Sequence, residues 1–134
     1  MLRHQIINSL MAPHTDHVAE AAIRLWELMS IQIISIVGEA GFSSLYARSV
    51  FLAQSRFPWL ETSAAPSPTD HRFTRLKTSL EAQTPALAGA ANILLLITFT
   101  DILAALIGEQ LTTGILCSAW GIDASTAGKE VKHE

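Results

Sequence analysis

The chain has 134 residues, 49% apolar and only 16% charged, with a net charge of −3. That is enough chain for one domain burying roughly two-thirds of its unfolded surface. The charged share lies well below the usual value of about 25%, which points to a second surface covered by a partner, by another copy or by lipid. The negative balance argues against nucleic-acid binding. A single cysteine, Cys117, excludes an internal disulfide and any multi-cysteine metal site, and it fits a reducing, cytoplasmic setting.

In chain order, the opening "MLRHQIINSLMAPH" does not read as a secretory signal, because Asn8 and Ser9 break its apolar stretch and no small-x-small cleavage site follows. It is expected to form a short helix or arm ending near Pro13. Val18, Ala22, Leu25, Trp26, Met29, Ile33, Ile36 and Val37 then step by three and four, with Glu20, Arg24 and Glu27 on another face. This is the signature of an amphipathic helix, capped by Thr15 or Asp16. Gly38 and Gly41 interrupt it. In a straight helix Phe42, Leu45 and Tyr46 would leave the apolar stripe, so a kink or tight turn is expected, with Gly38 near a C-terminal cap. A second helix is predicted from about 43 to 57, stopped by Pro58.

The segment "ETSAAPSPTD" at 61–70 reads as a linker. Asp70 is a candidate cap for a modest helix sharing Phe73, Leu76 and Leu80 on one face. Thr84-Pro85 restarts the chain with proline at the first helical position. Residues 86–107, "ALAGAANILLLITFTDILAALI", are long enough to span a membrane. Ten Leu, Ile and Phe residues from Ile93 to Ile107 favour insertion by about 3–6 kcal/mol, while Asp101 alone opposes it by about 3 kcal/mol. With Asn92, Gly89 and two threonines added, the sum falls near zero, and the central helix of a bundle is the simpler reading. On that helix Ala91, Thr98, Asp101, Ala105 and Gly108 share a narrow stripe, either a close approach for another helix or the sliver that meets water. The tail 122–134 is polar and expected to be mobile. There is no sustained period-two alternation and no Asn-Gly or Asp-Gly hairpin turn.

One phrase occurs twice: "IVGEAGFSSLYARS" at 36–49 and "LIGEQLTTGILCSA" at 106–119. At an offset of seventy, Leu25, Trp26, Met29 and Ile33 fall on Leu95, Leu96, Phe99 and Leu103. Two amphipathic helices also align by pattern alone. Read as a repeat, the match predicts two helix–Gly-Glu–helix arms packed about a pseudo-twofold axis. The second should be the more buried, since it carries Leu94 and Ile97 where the first has Arg24 and Glu27. Each Glu is either a helix-start carboxylate, favourable by about 0.3–1 kcal/mol, or half of a buried pair fixing how the arms dock. No Lys or Arg lies between Lys77 and Lys129, so the base for Glu109 or Glu39 is sought in the first half, with Arg48 the first candidate and Arg56 behind it.

Other chemistry is thin. His14, Asp16 and His17 form a possible metal cluster, but Thr-Asp-His occurs at 15–17 and again at 69–71, each time before a predicted helix, so capping accounts for it more simply. The Glu-x-x-His pairs of a di-iron bundle are absent. There is no Gly-x-Ser-x-Gly turn, Cys117 sits on an apolar face, and Gly38 and Gly41 follow a helix rather than a strand and lack a Gly-Lys-Ser/Thr sequel. "HRFTRLK" at 71–77 is a small basic run, a wet helix face or a docking patch for an acidic partner. Phe57 and Trp59 around Pro58 either plug a bundle end or anchor another chain.

The expectation is an all-α bundle of four to six helices in one domain over 1–121, with halves 14–60 and 71–121. No catalytic residue or cofactor is expected. The function expected is a non-enzymatic interaction or regulatory module working through helix packing, partnered by itself as a homo-oligomer or by another protein. The alternatives are a small-ligand or metal-binding bundle using His14, His17, Asp101 and the two Glu residues, and a membrane-associated helical protein.

Overall fold

The computed structural model describes residues 2–11, 17–60 and 73–121. Five helices follow one another: α1 (Leu2–Met11), α2 (Val18–Ala53), α3 (Thr74–Glu81), α4 (Pro85–Ile107) and α5 (Glu109–Trp120). The all-α bundle expected from the periodicity is present. Among the described residues there is no strand. The expected caps Thr15, Asp16 and Asp70 and the tail 122–134 lie outside the described residues. Thr84 does cap α4, its Oγ1 accepting from Leu87 N at 3.3 Å, with Pro85 in the first turn.

Helix α2 is bent, and one residue bends it. Gly38 has φ 84° and ψ 167° while its neighbours stay helical. Gly41, expected to share in the interruption, remains within the helix. The second half therefore starts directly after Gly38 rather than near residue 43, and it ends at Ala53, followed by turns bonded Ser55 N to Leu52 O and Arg56 N to Ala53 O. The bend is a reversal. A straight helix would separate residues 26 and 46 by about 30 Å, yet the rings of Trp26 and Tyr46 lie edge to face with centroids 5.2 Å apart.

The second arm repeats this. Gly108, with φ 100° and ψ 149°, is at once the C-cap of α4 and the N-cap of α5. Its N–H donates to Ala104 O, and its carbonyl accepts from Thr112 N at 3.1 Å and from Thr112 Oγ1 at 2.8 Å. Helix α5 returns along the bundle until the Trp120 indole Nε1 donates to Leu25 O at 2.9 Å. The N-terminal arm of α2 and α4 run in the same direction: Val18 lies beside Gly89, and further along, Trp26 meets Asn92 and Phe99. Parallel long arms with both returning arms beside them are what a pseudo-twofold axis along the bundle requires, and they bring both bends to the same end.

The correspondence extends beyond the arms. The same offset of seventy lays α1 on α3, with Arg3 on Phe73 and Ile6 on Leu76, all four buried. Ala22, Trp26, Met29, Ser30 and Ile33 are buried, as are Asn92, Leu96, Phe99, Thr100 and Leu103 at the matching positions. From 31 to 40 and from 101 to 110 the pattern of buried, half-buried and exposed residues is the same, position by position. Each lead helix packs chiefly against the opposite half, α1 on α4 and α3 on α2.

The core is aromatic at its centre. Trp26, Phe42, Tyr46, Phe73 and Phe99 come from both arms of α2, the start of α3 and α4, with neighbouring centroids between 5.2 and 6.2 Å. Such ring pairs add about 0.5–1.5 kcal/mol each beyond their burial. The Trp26 N–H, which would be costly to bury unbonded, donates to Asn92 Oδ1 at 2.8 Å. Buried hydroxyls are satisfied by their own helices: Ser49 donates to Leu45 O and Ser79 to Arg75 O.

A Cβ at Gly38, Gly108 or Gly114 would meet nothing within 4 Å, but only the first two occupy positive φ. Gly38→Ala and Gly108→Ala are therefore expected each to lower stability by about 1–3 kcal/mol through backbone strain alone. Gly114→Ala, in a regular helix, should raise it by about 0.5–1 kcal/mol. Urea denaturation of the three variants checks this, and equal effects at all three sites would contradict it.

Candidate functional site

The most concentrated polar chemistry lies beside the second bend and is supplied from α1. On this ten-residue helix, Arg3, Ile6, Ile7 and Leu10 follow three-and-four spacing and share a face. Ile6 and Ile7 are buried and Leu10 is half-buried. Arg3 is only 2% exposed, so its charge is held inside the protein and needs a counter-charge. Its guanidinium meets Glu109 with two parallel bonds, Nε to Oε2 and Nη2 to Oε1, both 2.9 Å. Nη1 lies 2.7 Å from Asp101 Oδ1 and donates to Thr100 Oγ1 at 2.8 Å. Thr100 is oriented for this, since its own proton goes to Leu96 O at 2.8 Å. His4 Nε2 lies 3.0 Å from Asp101 Oδ1.

The fold explains why these groups meet. Thr100 and Asp101 stand about two turns before Gly108, Glu109 stands directly after it, and the bend brings them around one recess. Glu109 also starts α5, where a carboxylate is favourable beside the helix N-terminus, and Thr113 Oγ1 donates to its Oε2 at 3.4 Å. Asp101 and Glu109 are about half exposed, at 51% and 45%.

The charges respond accordingly. For Asp101, burial raises the pKa, but the bonds to His4 and Arg3 outweigh it and hold the carboxyl below its ordinary range. Hydrogen bonding to Arg3 is the leading cause of the same downward shift at Glu109. For Arg3, burial works against the charge, and the bonds to Glu109 and Asp101 overcome it, raising the pKa. The arrangement is a guanidinium clamp. Arg3 engages both carboxylates, and His4 also meets Asp101.

The two Gly-Glu carboxylates are expected either to start a helix or to form a buried pair between the arms. Glu109 starts α5 and is paired, but it is 45% exposed and its partner is on α1 rather than on the other arm. Arg3, not Arg48, is its partner, a correction to the pairing expected from the sequence. Arg48 lies on the outer face of the returning arm of α2 and is exposed, as is Arg56. Glu39 occupies the position matching Glu109 and is exposed. On the α4 stripe of small residues Ala91 is buried and Thr98 half-buried, Asp101, Ala105 and Gly108 are exposed, and α1 meets the stripe at Asp101. Phe57 and Trp59 are half-buried against the core, with ring centroids 5.7 Å apart, and Gln54 Nε2 donates to Leu60 O beside them at 2.6 Å.

Of the candidate metal cluster, His14 and Asp16 lie outside the described residues. His17 is exposed, with Nδ1 3.6 Å from Glu20 Oε1. Among the described residues no group of three or more His, Cys, Asp or Glu is arranged to hold a metal ion. A recess of about 220 Å³ at the end of the bundle away from the bends is lined by His17, Glu20, Leu80, Glu81 and their neighbours. Cys117 is buried. Comparison with protein-family models, with curated proteins and with solved structures finds no match for this chain.

Sequence reasoning missed Arg3. The signal that finds it is a cation on the apolar face of a short helix, sharing three-and-four spacing with Ile6, Ile7 and Leu10.

Arg3→Met, which keeps the apolar stem, should cost about 2–3 kcal/mol. This is below the roughly 3–5 kcal/mol of a fully dry pair, because water reaches the abandoned carboxylates. Glu109→Gln should cost about 1–2 kcal/mol, and Arg48→Ala should stay within about 0.5 kcal/mol of wild type. A larger loss for Arg48→Ala than for Arg3→Met in urea titrations would reverse the assignment. The pH dependence follows from the lowered carboxylate pKa values. Their stabilisation is complete above the ordinary Asp and Glu range and is lost as pH falls through the depressed folded values. The stability gap between wild type and Glu109→Gln should therefore narrow in acid, and a gap that widens there would contradict the clamp.

Proposed function

We propose that this protein is a non-enzymatic interaction module that docks through the end of the bundle carrying both bends. The observation supporting this is a separation of charge along the bundle axis. Between residues 28 and 47 the only charged side chain is Glu39, and from 82 to 121 the only ones are Asp101 and Glu109, of which the last two are engaged by Arg3. Glu20 and Glu81 line the recess at the other end. At the bend end, large apolar side chains face outward: Ile36 and Leu106, at matching positions just before the two glycines, are 51% and 65% exposed, and Ile31 and Leu111 are 66% and 51% exposed. Phe51, Leu52 and Leu87, at 71%, 40% and 43%, are exposed away from the bends among the charged residues.

Scattered exposed leucines are ordinary, but large apolar residues gathered where charge is missing mark a surface that another apolar surface covers. A second copy is the first partner to test, since a pseudo-symmetric end suits an isologous contact. The clamp belongs to this reading as the element that fixes the geometry of the second bend.

A bilayer is the other apolar partner. Val18–Ala53 and Pro85–Ile107 pass the length and composition test for a membrane span, with 28% and 39% of their most apolar stretches buried. The reversal at Gly38 shortens the first to an arm of about 30 Å, and Arg24 and Glu27 fall within that arm.

In detergent-free buffer, light scattering should give a mass of twice the chain. The double variant Ile36→Asp/Leu106→Asp should return it to the single-chain mass with unchanged far-ultraviolet circular dichroism. A wild type that stays at the single-chain mass up to high concentration, or a double variant that still associates, would overturn docking between copies. Flotation of the wild type with lipid vesicles would favour the bilayer instead.

A further inference from the structure

We propose that the outer face of the returning arm of α2, between Arg48 and Arg56, is a docking site for an acidic amphipathic helix of another protein. This face lies apart from the bend end, and the proposal goes beyond the reading of that end without resting on it.

The returning arm carries two stripes. Phe42, Tyr46, Val50 and Ala53 are buried and belong to the core. Ser44, Ala47, Arg48, Phe51, Leu52 and Ser55 also step by three and four, and all are exposed, so they share the opposite face. Phe51, at 71%, is the most exposed large apolar side chain among the described residues. Anchors at this spacing are what a helix offers to another helix laid along it. Ser44 and Ala47, one to two turns before Phe51, are small enough to let that helix come close.

Charge selects the partner. From 40 to 60 the only charged residues are Arg48 and Arg56, both exposed. Neither side chain forms an ion pair or a hydrogen bond among the described residues. The turn that carries Arg56 is fixed, since Arg56 N donates to Ala53 O and Gln54 Nε2 to Leu60 O. The two arginines therefore stand about two helical turns apart, roughly 12 Å along the axis, with Phe51 and Leu52 between them. A facing helix with carboxylates at that spacing and apolar side chains between matches this face in both charge and pattern. A bilayer matches it less well. Two arginines draw it to an anionic surface by only about 1 kcal/mol each, and much of the stripe is serine and alanine, which gain little from lipid. A second copy would have to bring an unlike face, and such a heterologous contact runs on into a filament.

The probe is a synthetic helix of four heptads with leucine at the a and d positions and glutamate at e and g, titrated into the full chain by calorimetry. Saturable one-to-one binding is expected, weakening as salt is raised, with none for the same helix carrying lysine at e and g. Arg48→Glu/Arg56→Glu should weaken binding by about tenfold or more, and Phe51→Ala by about fivefold or more. All three side chains are exposed, so circular dichroism should be unchanged. The bend-end variant Ile36→Asp/Leu106→Asp should bind as wild type does.

No binding of the acidic helix, equal binding of the lysine helix, or indifference to the Arg48 and Phe51 variants would overturn the proposal. So would loss of binding in the bend-end variant, which would assign the helix to that end. Flotation with anionic vesicles that Arg48→Glu/Arg56→Glu abolishes would assign the face to lipid. Growth of the wild type beyond twice the chain mass, abolished by the same variant, would assign it to a second copy. Each of these results leaves the light-scattering test of the bend end to be decided separately.

Discussion

Two long apolar helices can share one small core only if each is turned back on itself, and here a single glycine does this in each arm. Gly38 and Gly108 sit at positive φ with extended ψ, a conformation that an L side chain enters only under strain. At Gly108 the backbone groups on either side of the bend remain bonded within their own helices, so the reversal leaves the flanking hydrogen bonds in place. The aromatic centre, the parallel long arms and the gathering of both bends at one end all follow from these reversals.

The clamp is a consequence of the same geometry. Asp101 and Glu109 lie eight residues apart in sequence, on separate helices, and face one recess because the chain reverses between them. Burying Arg3 there is worthwhile only because every part of the guanidinium has a polar neighbour, and the carboxylates keep their outer sides wet. The first half shows the alternative solution. Phe73, at the position matching Arg3, enters a cluster of rings instead of a cluster of acids. One half is therefore joined by an apolar contact and the other by a charged one, on the same backbone plan.

Much of the fold was legible because its causes are local. The three-and-four stripe around Trp26 and Ile33, the Thr84-Pro85 start and the glycine at each reversal are short-range signals. The stripe slightly overreached at Ile36, which is exposed although periodicity places it with the core, because the bend withdraws the neighbour that would have covered it. The pattern around Gly38 and Gly41 suggests a turn of several residues and a helix start near 43, whereas one residue suffices and the helix resumes directly after Gly38. The clamp was legible by half. The repeated Gly-Glu points to Glu109, but the sequence offers Arg48 and Arg56 as its base, whereas Arg3 reaches it through packing between the chain's first helix and its last two. Periodicity does not encode which helix lies on which. The offset of seventy gives α1 and α3 matching roles, but the helix on which each one packs is read from the structure.

A reversal made by one residue has no slack. Inserting or deleting a residue beside Gly108 would turn α5 by about 100° around its own axis, swinging Glu109 away from Arg3 and the Ile115 and Leu116 side chains out of the core. The tips of helical hairpins are ordinarily where a chain tolerates changes in length, and this protein has given up that freedom at both tips.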